Sequence, residues 1–152
     1  MTEQMSGELI YEYDLQVTSV TSYGAPAFDA VVSGAARIPP QGARYDFVLE
    51  GPIAGRKLRG TVKGVDYIHV RPDGRAQLHI HAEITTEDGK KIAFFADGIV
   101  SFADGPPVGE LRENVTLTTS EPDYAWVNPL QIWAVGTVDI ATGRVHIAGY
   151  AL

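Results

Sequence analysis

Hydrophobic residues recur at every second position through most of this chain, and that period restricts it to a protein built of sheet. Leu9, Tyr11, Tyr13, Leu15 and Val17 fall on one face of an extended segment, while Glu12, Asp14, Gln16 and Thr18 fall on the other. Successive side chains of a strand point to opposite sides, so this alternation marks a strand with one face buried. Runs of the same kind follow at 45–49, 57–62, 66–70, 77–85, 92–102, 110–119, 130–140 and 144–152, rich in Val, Ile, Thr and aromatics. No amphipathic run reaches helical length; the nearest, 131–135, is short and lies between strand-like segments.

The punctuation between these runs has a mechanism. In Arg71-Pro72-Asp73-Gly74 the proline presets φ, the aspartate bonds its own backbone and the glycine supplies positive φ. Glu87-Asp88-Gly89-Lys90 and Ala141-Thr142-Gly143-Arg144 read as tight hairpins. Gly51 to Gly60 reads as hairpin corners with a basic rim of Arg56, Lys57 and Arg59, since it lacks the strand–loop–helix setting of a phosphate loop. Eight to ten short strands in one domain must close or stack, because an open sheet of that size leaves long unpaired edges. The expected fold is therefore all-β, a single antiparallel β-barrel spanning residues 1–152, with 1–7 frayed.

Length and charge narrow the partners. At 152 residues the chain can bury a full core without disulfides or structural metal, and it has no cysteine for thiolate chemistry. Twelve basic against nineteen acidic residues, net −7, disfavour a nucleic-acid partner. No segment has the ~20 apolar residues of a membrane helix, and the polar start lacks a secretory pattern. A cytoplasmic protein acting on a small molecule is the expectation.

Three local patterns carry chemistry. His79, His81 and Glu83 share one face of a strand, the geometry of a strand-borne metal site. The later ligands such a site requires are missing, since His146 is the only histidine further on, so no metal is expected. The same imidazoles could move protons near neutral pH. Asp66 falls among Ile68 and Val70 on an apolar face, which demands either an arginine partner (Arg44 or Arg59) or a role as a cavity carboxyl. Tyr124, Trp126 and Asn128 lie in one short segment read as extended, with the aromatics as pocket walls and Asn128 bonding a ligand carbonyl or capping a turn. Trp133 and Tyr11 would complete an aromatic lining.

A set of motifs in fixed order carries a family resemblance: Gly42-Ala43-Arg44, Gly51-Pro52-Ile53-Ala54-Gly55, Leu58-Arg59-Gly60, Asp66-Tyr67, Arg71-Pro72-Asp73-Gly74, Thr86-Glu87-Asp88-Gly89 and Tyr124-Ala125-Trp126-Val127-Asn128. The chain resembles the family catalogued as domain of unknown function 3237. The resemblance implies an antiparallel barrel with an interior cavity, similar to calycin-like and allene-oxide-cyclase-like barrels, and brings little mechanism. Two positions depart from it: His81 stands where an arginine is usual, and Glu50 replaces a glycine.

Together these readings lead to cofactor-independent acid–base chemistry of isomerase, cyclase or lyase type on an apolar or aromatic substrate. His81, Asp66 and Arg44 are the expected catalytic groups; Tyr124, Trp126, Asn128, Trp133, Tyr11 and His79 are expected around the substrate. A non-catalytic carrier of a hydrophobic ligand is the alternative. Alternation alone does not decide which face of the 77–85 strand points inward, since a one-residue slip exchanges the two. If the histidines line the cavity, Leu78, Ile80 and Ile84 face outward and require cover from a second subunit, hence an expected homo-oligomer.

Overall fold

The computed structural model describes residues 7–152. The expectation of a frayed start falls on residues 1–6, outside the described ones, and on Gly7, which is exposed. Eight strands run in sequence: β1 (Glu8–Ser22), β2 (Ala43–Ala54), β3 (Arg59–Val70), β4 (Ala76–Thr86), β5 (Lys91–Ser101), β6 (Val108–Thr118), β7 (Ile132–Asp139) and β8 (Arg144–Ala151). Each pairs antiparallel with the next, and β8 returns to β1, closing the barrel. Closure satisfies the backbone groups that an open sheet would leave as edges.

The meander sorts its connections to two ends. The β1–β2 segment, carrying a one-turn helix α1 (Phe28–Val32), lies at one end with the β3–β4, β5–β6 and β7–β8 turns. The other end holds the β2–β3 and β4–β5 hairpins and a short 3-10 helix, Pro122–Val127. Gly74, Gly89 and Gly143 adopt positive φ in the predicted turns.

The Gly51–Gly60 stretch differs from the sequence reading. Residues 51–54 continue β2, and Gly60 lies inside β3, so only the intervening residues form the hairpin. These glycines allow close strand approach: a Cβ on Gly51 would lie 2.0 Å from the Asp14 carbonyl oxygen, and one on Gly60 2.0 Å from that of Thr85. The runs at 57–62 and 66–70 accordingly merge into one long strand.

The interior divides into a packed end and a hollow end. Near the 3-10 helix the barrel is filled by Tyr11, Ile53, Leu58, Ile84, Leu117 and Ile132, all essentially inaccessible to solvent. Towards α1 the filling stops and a cavity begins. On β4 the inward residues are Ala76, Leu78, Ile80 and Ile84, while His79, His81 and Glu83 are exposed. The inward placement of the histidines is thus corrected: imidazoles keep their hydration outside, and aliphatic side chains gain burial inside. Leu78, Ile80 and Ile84 are covered by the barrel interior itself, so that face needs no second subunit.

Candidate active site

The cavity has a volume of about 400 Å³ and opens beside α1. Its walls are mostly aliphatic and aromatic. Phe28, on α1, packs edge-to-face against Tyr45 and Phe47 at 5.1 Å each and against Phe102 at 6.0 Å. Tyr45 is held by its hydroxyl, which donates to the Pro26 carbonyl at 2.5 Å, tying the segment before α1 to the wall.

Against this apolar lining stand two carboxyl groups. Asp66 comes from β3 and Glu113 from β6, and they are only 6% and 1% exposed. Asp66 faces inward because it continues the face of Ile68 and Val70. It lies opposite Ile80 in the β3–β4 ladder, whose pairing skips two positions before resuming at His69 opposite Gln77. In that gap the backbone N–H of His79 donates to Asp66 Oδ1 at 3.1 Å. Glu113 lies between Gly98 on β5 and Ala134 on β7, cross-strand neighbours too small to crowd it. Tyr13 Oη donates to Glu113 Oε1 at 3.3 Å.

Burial without a cationic partner sets the protonation of this pair. Loss of hydration pushes Asp66 up to about 7, with the His79 amide pulling partly back. Glu113 is pushed up to about 8, first by burial and then by the charge of Asp66, with the Tyr13 hydrogen bond opposing. Tyr13 and Tyr11 are both raised well above the ordinary phenol value, by burial first and then by Glu113, and so stay protonated, Tyr13 as the donor to Glu113. Near neutral pH both acids therefore titrate within a mostly apolar cavity.

The residues expected from sequence distribute unevenly around this site. Asp66 is where the cavity-carboxyl reading put it, and neither arginine pairs with it. Tyr11 is fully buried, but beneath the cavity floor, stacked on Tyr13 at 5.8 Å, and its hydroxyl lacks a hydrogen-bond partner among the described residues. Arg44 points outward, ion-paired with Asp46 at 3.0 Å and set over the rings of Tyr23 and Tyr67. His79 and His81 lie on the outer face with their Nε2 atoms 3.1 Å apart, each packed edge-on against Phe95. Trp133 is also on the outside, 58% exposed.

The Tyr124–Asn128 segment serves the closed end. It is a 3-10 helix rather than an extended piece, begun by Pro122, so its aromatics do not share a strand face. Tyr124 Oη donates to Asp88 at 2.8 Å, and the Lys57 ammonium lies over the Trp126 ring. Asn128 accepts from the Thr119 N–H at 2.8 Å and donates to the Thr119 carbonyl at 2.9 Å, which is the turn-capping half of its expected role. None of the three lines the cavity.

Glu113 is the residue that sequence reasoning missed. Its signal was the same as that of Asp66: an acid on the apolar face formed by Leu111, Val115 and Leu117. Among the described residues no three His, Cys, Asp or Glu side chains converge as a metal site, and no helix is long and apolar enough to cross a membrane.

Fold and site together define a small closed β-barrel with a buried acidic pair in a mostly apolar cavity. The chain belongs to the family described as "Protein of unknown function (DUF3237)", which matches residues 25–152. No curated protein matches the sequence. Among solved structures it is similar to a protein of unknown function from Clostridium acetobutylicum ATCC 824, with a TM-score of 0.78, 21% identity and 99% of each chain covered. A β-barrel-like protein from Acinetobacter baumannii AYE gives 0.73 at 18% identity, covering 99% of this chain and 98% of that one. A structure described as an enzyme from Penicillium herquei gives 0.64 at 19% identity, with 99% of each chain covered. At these identities the likeness establishes the shared fold.

Proposed function

We propose that this barrel is a cofactor-independent acid–base catalyst of isomerase, cyclase or lyase type, acting on a small, largely apolar or aromatic molecule held in the cavity. The observation that carries the reading is that Asp66 and Glu113 share one cavity and, among the described residues, lack a cation to neutralise either. Such a pair titrates as a unit, and between its two values it holds about one proton. The ionised member takes a proton from the substrate and the protonated member returns one elsewhere on it. Tyr13 keeps Glu113 in place, and the aromatic wall around Phe28 and Tyr45 orients the substrate. The roles expected of His81 and Arg44 pass in this reading to Glu113 and Tyr13.

Proton movement can be followed before the natural substrate is known. Aryl ketones incubated with the protein in deuterated buffer are expected to exchange their α-hydrogens faster than in buffer alone, as read by proton NMR. Asp66→Asn and Glu113→Gln are each expected to cut that acceleration by about 10²-fold or more. Ketones that fill the cavity without exchanging would replace the catalytic reading with the carrier. What favours the carrier is that none of the four histidines lines the cavity.

A further inference from the structure

We infer that the cavity selects its ligand by charge: it takes an uncharged molecule that presents a carbonyl oxygen to the carboxyl pair, and it shuts out carboxylates and phosphates. This rests on the acid–base reading of the same site and adds the charge class of the substrate. The lining contains three acids and no Lys, Arg or His. Asp66 and Glu113 are at the floor, and Asp29 stands at the mouth on the first turn of α1. A ligand anion would lose its hydration on entering, meet no counter-ion and face groups of its own sign.

A bound cation would pair with the floor carboxyls and hold both ionised, so it would occupy the cavity without meeting a proton donor. A neutral carbonyl makes the opposite demand, since it accepts from a protonated carboxyl. The hydrogen bonds in place leave room for that contact. Asp66 uses Oδ1 for the His79 amide and Glu113 uses Oε1 for Tyr13, so each acid keeps a second oxygen for a proton. The aromatic rings of Phe28, Tyr45 and Phe47 offer edges and faces to a flat skeleton above it.

The test uses the unmodified protein and one carbon skeleton in two charge states, acetylnaphthalene and naphthoate, titrated calorimetrically near neutral pH. The ketone is expected to bind at least about tenfold more tightly than the carboxylate. Parity or reversal between the two, or no binding by either, overturns the inference. A ketone preference without hydrogen exchange in the bound ketone would sink the catalytic reading and leave the charge selection standing.

Discussion

Tyr13 and Glu113 meet across the inside of the barrel: the phenol on β1 donates to the carboxyl on β6 at 3.3 Å, between strands that are not neighbours in the sheet. The bond lies at the boundary between packed core and cavity. It is also the only contact described for Glu113 that favours its ionised form. Tyr13→Phe is therefore expected to raise the Glu113 pKa further above about 8. Carbon-13 NMR of the glutamate carboxyls reads this directly, and an unchanged titration would show that the phenol does not control the acid.

The acidic pair makes stability depend on pH in a defined direction. Asp66 moves from 3.8 to about 7 on folding and Glu113 from 4.5 to about 8, so the folded state binds protons more tightly. Below the unfolded values both states are protonated and neither group opposes folding. As pH rises, the unfolded chain releases protons that the folded chain keeps, and stability falls by about 1.4 kcal/mol per pH unit per group. The loss is complete once pH has passed through the folded values.

Neutral isosteres remove this penalty. Asn at 66 keeps an acceptor for the His79 amide, and Gln at 113 keeps one for Tyr13. Asp66→Asn and Glu113→Gln are each expected to stabilise the protein by a few kcal/mol at about pH 9, with the gain vanishing towards about pH 4. Urea unfolding across that range measures it; a variant less stable than the parent under alkaline conditions contradicts the burial argument.

Asn128 should separate stability from binding. Its amide satisfies both backbone groups of Thr119 at the closed end, so Asn128→Ala is expected to cost about 1–2 kcal/mol. Calorimetric affinity for a cavity ligand such as acetylnaphthalene should not change. A weakened affinity would bring the 3-10 helix back into the binding site.

His81→Ala and Arg44→Ala probe the outer face. Both side chains lie outside the lining, so ligand affinity and hydrogen exchange are expected to stay within about twofold of the parent, less than 0.5 kcal/mol. Loss of exchange in either variant would move the chemistry from the cavity to the outer surface.

Much of the architecture is local and was therefore readable. The alternation at Tyr11, Tyr13 and Leu15 marks an inward face, and Arg71-Pro72-Asp73-Gly74 marks a turn, because each depends on neighbours a few residues away. Asp66 was visible as an acid out of place among Ile68 and Val70. The 3-10 helix at Pro122–Val127 was not, because about two turns carry too little periodicity to distinguish from a strand.

Sequence alone determined an antiparallel all-β domain of short strands and a demand that Asp66 be explained. Only the tertiary structure decided that β4 turns Leu78 and Ile80 inward and leaves His79 and His81 in water. Alternation is symmetric between the two faces of a strand, and the choice is made by which face fills the shared interior at least cost. Bringing Asp66, Glu113 and Tyr13 to one floor likewise required the closing of the barrel, since their meeting depends on the register of every strand between them and no local pattern encodes it.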